Sequence, residues 1–315
     1  MKVLLVIIFF IVALIMLSWG GNLLVDSAVN IGKITGVSQI VIGCTLVSLI
    51  TTLPELLVTI FSSSNGAEGI AVGNAIGSMM FNFLIIVGVL LLARPMMLKL
   101  KSYKTKLIIN MTLLLLLVIF AFTGVISAVE GAILFFIFVL FYFINFKESK
   151  RVSKKYVFEK SENPKKLIFD TIMLFVLGGV LVSLGAKFLV ESAIYLASFL
   201  GVSESIIGFT CVAIGTSIPE LTTAIMSIKK NCMQMSIGNI IGANILNGSL
   251  LLSIAVLING RLVVDKLFVI VCMLVLILAT ILLFVPSIKK RKTNRFQGLI
   301  FVLLYVGYLV YLFVK

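Results

Sequence analysis

Charged residues are scarce in this chain of 315 residues, of which only 12% are charged and 61% are hydrophobic. A soluble domain is about one quarter charged, so the composition indicates an integral membrane protein. The apolar runs reach the roughly 20 residues with which an α-helix crosses a bilayer. They are too long for the alternating strands of a membrane β-barrel. Histidine is absent, which excludes imidazole metal ligands and histidine proton relays.

Reactive motifs are missing as well. The four cysteines form no C-x-x-C pair and are interpreted as small apolar packing residues. No G-x-x-x-x-G-K-(S/T) sequence is present, so an ion gradient must drive any transport. No nucleophile stands beside a base, so we expect no enzymatic activity. The formal charge of +14 is attributed to cytoplasmic loops rather than to nucleic-acid binding.

One stretch of sequence occurs twice at a constant offset. GVSQIVIGCTLVSLITTLPELLVTI begins at Gly36, and GVSESIIGFTCVAIGTSIPELTTAI begins at Gly201. Each is followed by a Gly-Asn phrase, GNAIGSMMFN from Gly73 and GNIIGANILN from Gly238. An acid, a proline and several hydroxyls that recur inside apolar sequence are typical of a duplicated transporter with an ion site. The offset pairs Thr51 with Thr216, Pro54 with Pro219, Glu55 with Glu220, Asn74 with Asn239 and Asn82 with Asn247.

The hydrophobic pattern predicts an all-α membrane protein with ten transmembrane helices. A basic linker, 147–166, separates a first five-helix repeat, 1–146, from a second, 167–315. Because five is odd, the second repeat crosses the membrane in the opposite sense, and the two form inverted repeats. We expect helices 2 and 7 to be broken at Pro54 and Pro219, since proline lacks the N–H and clashes with the preceding turn. The predicted spans are 3–23, 37–62, 68–93, 106–124, 127–146, 167–190, 202–227, 235–258, 265–286 and 296–314.

The basic residues predict the orientation in the membrane. Most of the 26 lysines and arginines fall in segments on one side of the predicted spans. Positive loops stay in the cytoplasm, so this side is cytoplasmic, and it includes the linker 147–166. The N-terminus and the C-terminus then lie on the outer side of the cell membrane. Asp26, Asp170 and Glu191 stand nearer to span ends and are interpreted as interfacial.

Glu55 and Glu220 are the leading candidates for a cation site. A carboxylate within the bilayer is costly and indicates function. Two carboxylates at equivalent positions of inverted repeats can approach each other, and at about 4 Å they repel by ~4 kcal/mol at an effective dielectric of about 20. They would need a cation between them, or one would bind a proton. The alternative, in which each glutamate caps a helix or pairs with a basic residue, is less favoured.

Neutral oxygen atoms surround the two acids in the sequence. A helix broken by proline frees backbone carbonyls, which need partners in a membrane, and a bound cation is one such partner. Ca²⁺ and Na⁺ prefer oxygen ligands. For each hydroxyl, a bond back to its own backbone is an equal alternative. The candidates are the hydroxyls of Thr51, Thr52, Thr216 and Ser217, the carbonyls of Ser48 and Ala213, and the amides of Asn82 and Asn247.

The glycines of the Gly-Asn phrases have a different interpretation. Gly73 and Gly77 follow small-x-x-x-small spacing, as do Gly238 and Gly242. Such spacing lets helices approach closely. Packing is therefore the favoured role for these four glycines.

These motifs together resemble the cation/calcium antiporter superfamily, which contains the sodium/calcium exchangers. The resemblance covers essentially the whole chain and is carried by GTSIPE at 215–220 and by GN-x-x-G-(S/A) at 73–78 and 238–243. It implies a site between helices 2, 3, 7 and 8, with helices 1 and 6 sliding to expose it to either side. It implies that Glu55 and Glu220 bind Ca²⁺ with Thr51 and Thr216, and that these acids form sodium sites with Ser78, Ser217 or Thr52 and the carbonyls of Ser48 and Ala213.

Three positions depart from the family pattern. Ile50 replaces a usual glycine, which predicts a stiffer first hinge. Ala243 replaces a usual serine opposite Ser78, which removes one sodium ligand. Asn247 stands where many relatives carry aspartate, so the centre has two carboxylates instead of three. The last two changes weaken the expectation of a three-sodium stoichiometry.

The leading hypothesis is a secondary antiporter that exchanges Ca²⁺ for Na⁺ by alternating access. A Ca²⁺/H⁺ antiporter, or one for another divalent cation, is the alternative. A passive cation channel is less favoured, because a channel needs several weak sites along a continuous pore. We expect no cofactor, no nucleic acid and no obligate protein partner, only the transported cations and membrane lipid.

Overall fold

The computed structural model describes residues 2–98, 100–153, 164–199, 214–288 and 292–314. Helices make up nearly all of these residues. The first eight are α1 Lys2–Thr35, α2 Gln39–Ile42, α3 Ser48–Thr51, α4 Leu53–Ser64, α5 Glu68–Met80, α6 Val87–Ala93, α7 Leu100–Ala121 and α8 Ala128–Ser153. The next six are α9 Pro164–Phe199, α10 Ile218–Lys229, α11 Met233–Leu246, α12 Leu252–Asn259, α13 Lys266–Ile288 and α14 Arg295–Val314.

Three π-helical segments interrupt these helices. Gly43–Val47 joins α2 to α3, Phe81–Ile86 joins α5 to α6, and Asn247–Leu251 joins α11 to α12. A π-turn inserts one residue into a helix and is frequent at functional sites. The second and third segments contain Asn82 and Asn247, which are equivalent in the sequence repeat.

The fold departs from the all-α prediction in one small feature. Strand β1, Val125–Ile126, pairs antiparallel with strand β2, Leu262–Val263. The carboxylate of Glu68 accepts a hydrogen bond from the N–H of Val263 at 3.0 Å. These bonds satisfy backbone groups that lie outside the helices.

The apolar helices agree with most of the predicted spans. Among the described residues, seven helical segments are long and apolar enough to cross a membrane, and an eighth is the bent pair Gln39–Thr51 and Leu53–Ser64. The predicted span 202–227 lies partly outside the described residues, and 296–314 corresponds to a helix whose apolar part, Arg295–Val310, is shorter. The total of ten and the inverted arrangement therefore remain predictions. The seven segments are Leu5–Thr35, Glu68–Ala93, Leu100–Ala121, Ala128–Ser149, Ile168–Gly185, Met233–Asn259 and Lys266–Pro286.

The first helix runs beyond its predicted limit of residue 23. No proline interrupts it, and it ends at Thr35 because Gly36 adopts a left-handed backbone with φ +69°. Glycine reaches this conformation without a steric penalty and commonly terminates helices. The extension carries Asp26 away from the predicted end of the span and into the helix.

The chain forms two compact units, Met1–Pro54 with Ile144–Asn239, and Glu55–Phe143 with Ile240–Lys315. Each unit combines segments from both sides of the linker 147–166. The sequence-based division into 1–146, 147–166 and 167–315 therefore stays a prediction about the repeats.

In the first unit, α1 and α9 touch through glycines. A Cβ added to Gly20 would lie 2.9 Å from the carbonyl oxygen of Gly178, and one added to Gly178 would lie 2.6 Å from the backbone nitrogen of Leu24. Such distances leave no room for a side chain, so the two backbones are in direct contact. These helices correspond to predicted helices 1 and 6.

A second close approach in the same unit joins the segment 39–47 to α11. A Cβ on Gly43 would meet the carbonyl oxygen of Met235 at 2.1 Å, and one on Gly238 would meet the carbonyl oxygen of Ile40 at 2.6 Å. Gly238 is therefore a packing glycine, as its small-x-x-x-small spacing predicts. The contact fixes α11 beside the chain segment that leads to Thr51.

In the second unit, α6 packs against α14 at Gly88. A Cβ added to Gly88 would lie 3.2 Å from the carbonyl oxygen of Gly298. The loops before α7 and before α14 are joined by two hydrogen bonds. The Thr293 N–H donates to Met96 O at 2.9 Å, and the Met96 N–H donates to the Thr293 hydroxyl at 2.9 Å. The unit thus ties its last helix to the first half of the chain.

Candidate ion-binding site

The first break in a membrane helix lies next to Glu55. The helix α3 ends at Thr51, because the backbone of the next residue, Thr52 (φ −82°, ψ 1°), leaves the helical range. The next helix, α4, starts at Leu53 with Pro54 as its second residue, and the two segments are bent by 45°. Proline suits a first turn, because its missing N–H needs no partner there. The break therefore falls two residues before the proline instead of at it, and Glu55 lies in the first turn.

The second break repeats this geometry. Ser217 (φ −90°, ψ 6°) precedes α10, Pro219 is the second residue of α10, and Glu220 is the third. The backbone N–H groups of a first helical turn carry a partial positive charge that favours a carboxylate. In both halves of the chain the proline thus starts a new helix and sets a glutamate at its positive end.

Glu220 has a polar and fully enclosed environment. Its side chain is 0% exposed. The Thr52 hydroxyl donates a hydrogen bond to Oε1 at 3.3 Å, and Oε2 accepts none from the described residues. A buried carboxylate with so few donors is costly unless a cation or a proton compensates its charge. Two predicted ligands from opposite halves of the sequence, Thr52 and Glu220, are therefore in direct contact.

Thr51 belongs to a network of buried side chains beside this carboxylate. Its hydroxyl lies 3.3 Å from Oδ1 of Asn239. The Asn239 amide Nδ2 donates to the Thr223 hydroxyl at 3.1 Å, and that hydroxyl donates to the backbone carbonyl of Glu220 at 2.9 Å. The network connects a candidate ligand on α3 to the first turn of α10.

Glu55 is also fully buried, at 0% exposure. The Asn74 amide donates to the backbone carbonyl of Glu55 at 2.9 Å and to the Thr59 hydroxyl at 3.2 Å. In each unit, therefore, the asparagine of a Gly-Asn phrase is linked to the first turn of a broken helix, Asn74 directly and Asn239 through the Thr223 hydroxyl. Asn74 and Asn239 were not among the predicted site residues, although their recurrence at the repeat offset is a signal that could have linked them to the site.

The predicted ligands on α5 and on the second and third π-helical segments are equally enclosed. Ser78, Asn82 and Asn247 are each 0% exposed. Neither amide atom of Asn82 or of Asn247 forms a hydrogen bond with the described residues. An amide left without partners in a protein interior costs about 1–3 kcal/mol. Such amides are suited to a polar ligand such as a cation or its water shell.

The remaining candidates have mixed environments. The Ser48 carbonyl accepts the N–H of Thr52 at 3.0 Å, and the Ser48 hydroxyl bonds back to the carbonyl of Cys44 at 2.8 Å. The carbonyl of Ile50, in contrast to that of Ser48, loses its usual helical donor, because proline at position 54 has no N–H. Thr216 and Ser217 are buried. Ala213 lies outside the described residues.

Two acids outside the site are exposed and form ion pairs. Asp26 bonds to the ammonium group of Lys230 at 2.6 Å, and Glu191 lies 3.8 Å from that of Lys187. Within the described part of the chain, no group of three or more acidic, cysteine or histidine side chains could hold a metal ion. A bound cation would therefore rely on one or two carboxylates together with neutral oxygen ligands.

Comparison with known proteins identifies the family. The sequence profile of the sodium/calcium exchanger protein family matches residues 5–147 and 171–314. The membrane protein MJ0091 of Methanocaldococcus jannaschii is 33% identical over 95% of both chains. The sodium/calcium exchanger MaX1 of Methanosarcina acetivorans is 30% identical over 95% of this chain and 96% of its own. The chain belongs to the sodium/calcium exchanger family, which confirms the resemblance noted in the sequence.

A solved structure agrees with this assignment. The sodium-calcium exchanger NCX_Mj, soaked with 10 mM Na⁺ and zero Ca²⁺, superposes with a TM-score of 0.86 at 29% identity and covers 98% of this chain and 99% of its own. The protein is thus a multi-pass membrane transporter of the cation antiporter class. Its transported cations are substrates rather than cofactors.

Proposed function

We propose that this protein exchanges Ca²⁺ for Na⁺ by alternating access, with the carboxylates of Glu55 and Glu220 as ligands of the transported ion. The observation that carries the proposal is the environment of Glu220, which is fully buried, at the positive end of a broken helix, and in contact with the Thr52 hydroxyl. Oxygen ligands of this kind match Ca²⁺ and Na⁺. Glu55 stands at the equivalent position of the repeat and is equally buried.

The neutral ligands of the proposed sites come from both halves of the chain. The buried hydroxyls and amides are suited to complete the coordination that two carboxylates begin. Ala213 is included in the proposal only because it is equivalent to Ser48 in the sequence repeat. The proposed set is Thr51, Thr52, Ser78, Asn82, Thr216, Ser217 and Asn247, with the carbonyls of Ser48 and Ala213.

The charge of two carboxylates gives a rule for coupling. One Ca²⁺ neutralises a charge of −2, and two or three sodium ions supply a similar positive charge. A site that contains an ion can therefore cross between its inward and outward states with its charge compensated. An empty site would leave two bare carboxylates in a dry interior, at a cost of several kcal/mol per ion. This penalty would prevent the empty carrier from crossing and would enforce exchange.

The proposed transport movement is a sliding of α1 and α9 past the helices that hold the ligands. The direct backbone contact at Gly20 and Gly178 supports it, because closely packed backbones hold the two helices together as a pair that can move as one. We further propose that the two halves are inverted repeats and that both termini lie outside the cell. The positive charge of the 147–166 linker supports this orientation.

The coupling ion is tested by radiolabelled Ca²⁺ uptake into proteoliposomes under an imposed sodium gradient and, separately, under an imposed pH gradient. We expect the outward sodium gradient to drive uptake. Uptake driven only by the pH gradient would replace the proposal with Ca²⁺/H⁺ exchange. Single-channel currents without counterflow would indicate a passive channel.

Ala243 offers a test of the sodium ligands. It is fully buried and lacks the hydroxyl that Ser78 has at the equivalent position. Ala243→Ser should strengthen the sodium dependence of Ca²⁺ uptake, because a hydroxyl adds one oxygen ligand. An unchanged sodium response in a well-folded variant would remove this position from the proposed sodium site.

A further inference from the structure

The hydrogen bonds that link Asn239, Thr223 and Glu220 have only one consistent direction. The backbone carbonyl of Glu220 can only accept, so the Thr223 hydroxyl, 2.9 Å away, must donate to it. That hydroxyl has one proton and must therefore accept from Asn239 at 3.1 Å, which assigns the Asn239 NH₂ group to this side. The amide oxygen then faces Thr51 and can only accept, so a bond between them requires the Thr51 hydroxyl to donate across 3.3 Å, in competition with the Ser48 carbonyl at 3.5 Å and the carboxylate of Glu220.

This direction determines what Thr51 offers to an ion. A hydroxyl has one proton and two lone pairs. When its proton points at Asn239, the lone pairs of Thr51 are turned away from that amide and are free for a cation. A proton directed at the ion would repel it. Thr51, Thr223 and Asn239 are each about 1% exposed, so solvent does not compete for these bonds.

We propose that Asn239 is a positioning residue for ion binding, which acts through Thr51 by holding its hydroxyl proton away from the ion. This inference rests on the proposed function, because it assigns Thr51 as a ligand of the transported cation. Asn239 touches no ion itself. Its amide needs both ends, an acceptor for Thr51 and a donor for Thr223, and no charged side chain provides both.

The other half of the chain contains a related arrangement. Asn74, equivalent to Asn239 in the repeat, donates from its amide to the carbonyl of Glu55 at 2.9 Å and to the hydroxyl of Thr59 at 3.2 Å. Both asparagines thus use the NH₂ group to support the first turn of a broken helix, Asn74 directly and Asn239 through Thr223. The oxygen of Asn239 remains for Thr51, which explains why an amide rather than a hydroxyl suits this position.

The test is sodium-driven Ca²⁺ uptake into proteoliposomes, with KM and maximal rate measured separately. Asn239→Leu, Thr51→Val and the double variant are compared. Loss of one oriented ligand should raise KM for Ca²⁺ about tenfold, since a net hydrogen bond corresponds to about a factor of ten in affinity. The double variant should be no worse than Thr51→Val alone, because Asn239 acts through Thr51. Thr51→Ser, which keeps the hydroxyl, should raise KM less than Thr51→Val does, and equal KM values for the two would overturn the role of the hydroxyl.

A buried asparagine on another helix serves as the matched control. Asn110 on α7 is 2% exposed, and Asn110→Leu should leave KM unchanged. A wild-type KM in folded Asn239→Leu, or effects that multiply in the double variant, would overturn the inference. If Asn239→Leu does not fold, Thr223→Val tests the inference instead. It removes the hydroxyl that holds the Asn239 NH₂ group, so the Asn239 amide can rotate. It should raise KM severalfold in wild type but not in Thr51→Val, and an unchanged KM in both backgrounds would overturn the inference.

Failure of the proposed function would have a different signature. Glu220→Gln is measured in the same preparation. If it transports Ca²⁺ like wild type, the site assignment fails whatever Asn239 does. If it is inactive and the Asn239 and Thr223 variants behave like wild type, only the positioning role fails.

Discussion

Gly43 makes a very close backbone contact near the candidate site, and a single methyl group added at Gly43 should disrupt this contact. In Gly43→Ala the new Cβ would lie 2.1 Å from the carbonyl oxygen of Met235 and 2.9 Å from the backbone nitrogen of Asn239. Both neighbours are backbone atoms, so neither can turn aside as a flexible side chain would. Carbon contacts normally lie at about 3.5–4.0 Å, and the two segments must separate by about 1 Å or more.

The magnitude follows from this separation. Forcing a methyl group into a well-packed interior costs about 1–3 kcal/mol. The bond between Thr51 and Asn239 is already 3.3 Å long, and a shift of about 1 Å would break it, because hydrogen bonds weaken beyond about 3.2 Å. Gly43→Ala should therefore lower both the thermal unfolding midpoint in detergent and the apparent affinity for Ca²⁺.

The matched control is the same substitution in open space. A Cβ added to Gly307, within α14, would have no heavy atom within 4 Å. Gly307→Ala should leave Ca²⁺ affinity unchanged and keep or raise the unfolding midpoint, since alanine is the better helix former by about 1 kcal/mol. A Gly43→Ala protein with the wild-type midpoint and affinity would refute the close-packing argument.

Two further substitutions examine contacts of the same unit. Thr52→Val removes the hydroxyl that donates to Glu220 and should raise KM for Ca²⁺ uptake up to about tenfold, while Thr52→Ser should preserve it; equal KM values for both would separate this hydroxyl from ion binding. Asp26→Asn breaks the ion pair with Lys230. Because Asp26 is 61% exposed, the loss of unfolding free energy should stay below about 1 kcal/mol, and a larger loss in a denaturation experiment would contradict the surface assignment.

The repeat allowed candidate ligands to be selected from the sequence. Glu55, Glu220 and Thr52 were selected because polar residues at constant spacing in apolar helices have few structural explanations, and their role as ligands stays a prediction. The positions of the helix breaks were less predictable. Proline is compatible with a first helical turn as well as with a kink, and only the backbone at Thr52 and Ser217 shows that new helices begin there.

Contacts between residues far apart in the sequence could not be predicted from local sequence patterns. Asn239 bonds to Thr51, which is 188 residues away, and hydrophobic periodicity carries no information about such a pair. The strands β1 and β2 are two residues each, too short to leave an alternating pattern. The continuation of α1 to Thr35 was missed because its later turns contain polar residues such as Asn22 and Asp26, which lower the apolar signal of a membrane helix.

The most direct measurement of the central claim is equilibrium binding of radiolabelled Ca²⁺ to the purified protein in detergent, for wild type, Glu55→Gln and Glu220→Gln. Each substitution keeps the shape of the side chain and removes its charge. We predict that wild type binds Ca²⁺, that sodium displaces it, and that each variant loses this binding while it elutes as a folded protein in size-exclusion chromatography. Wild-type Ca²⁺ affinity in either folded variant would contradict the account.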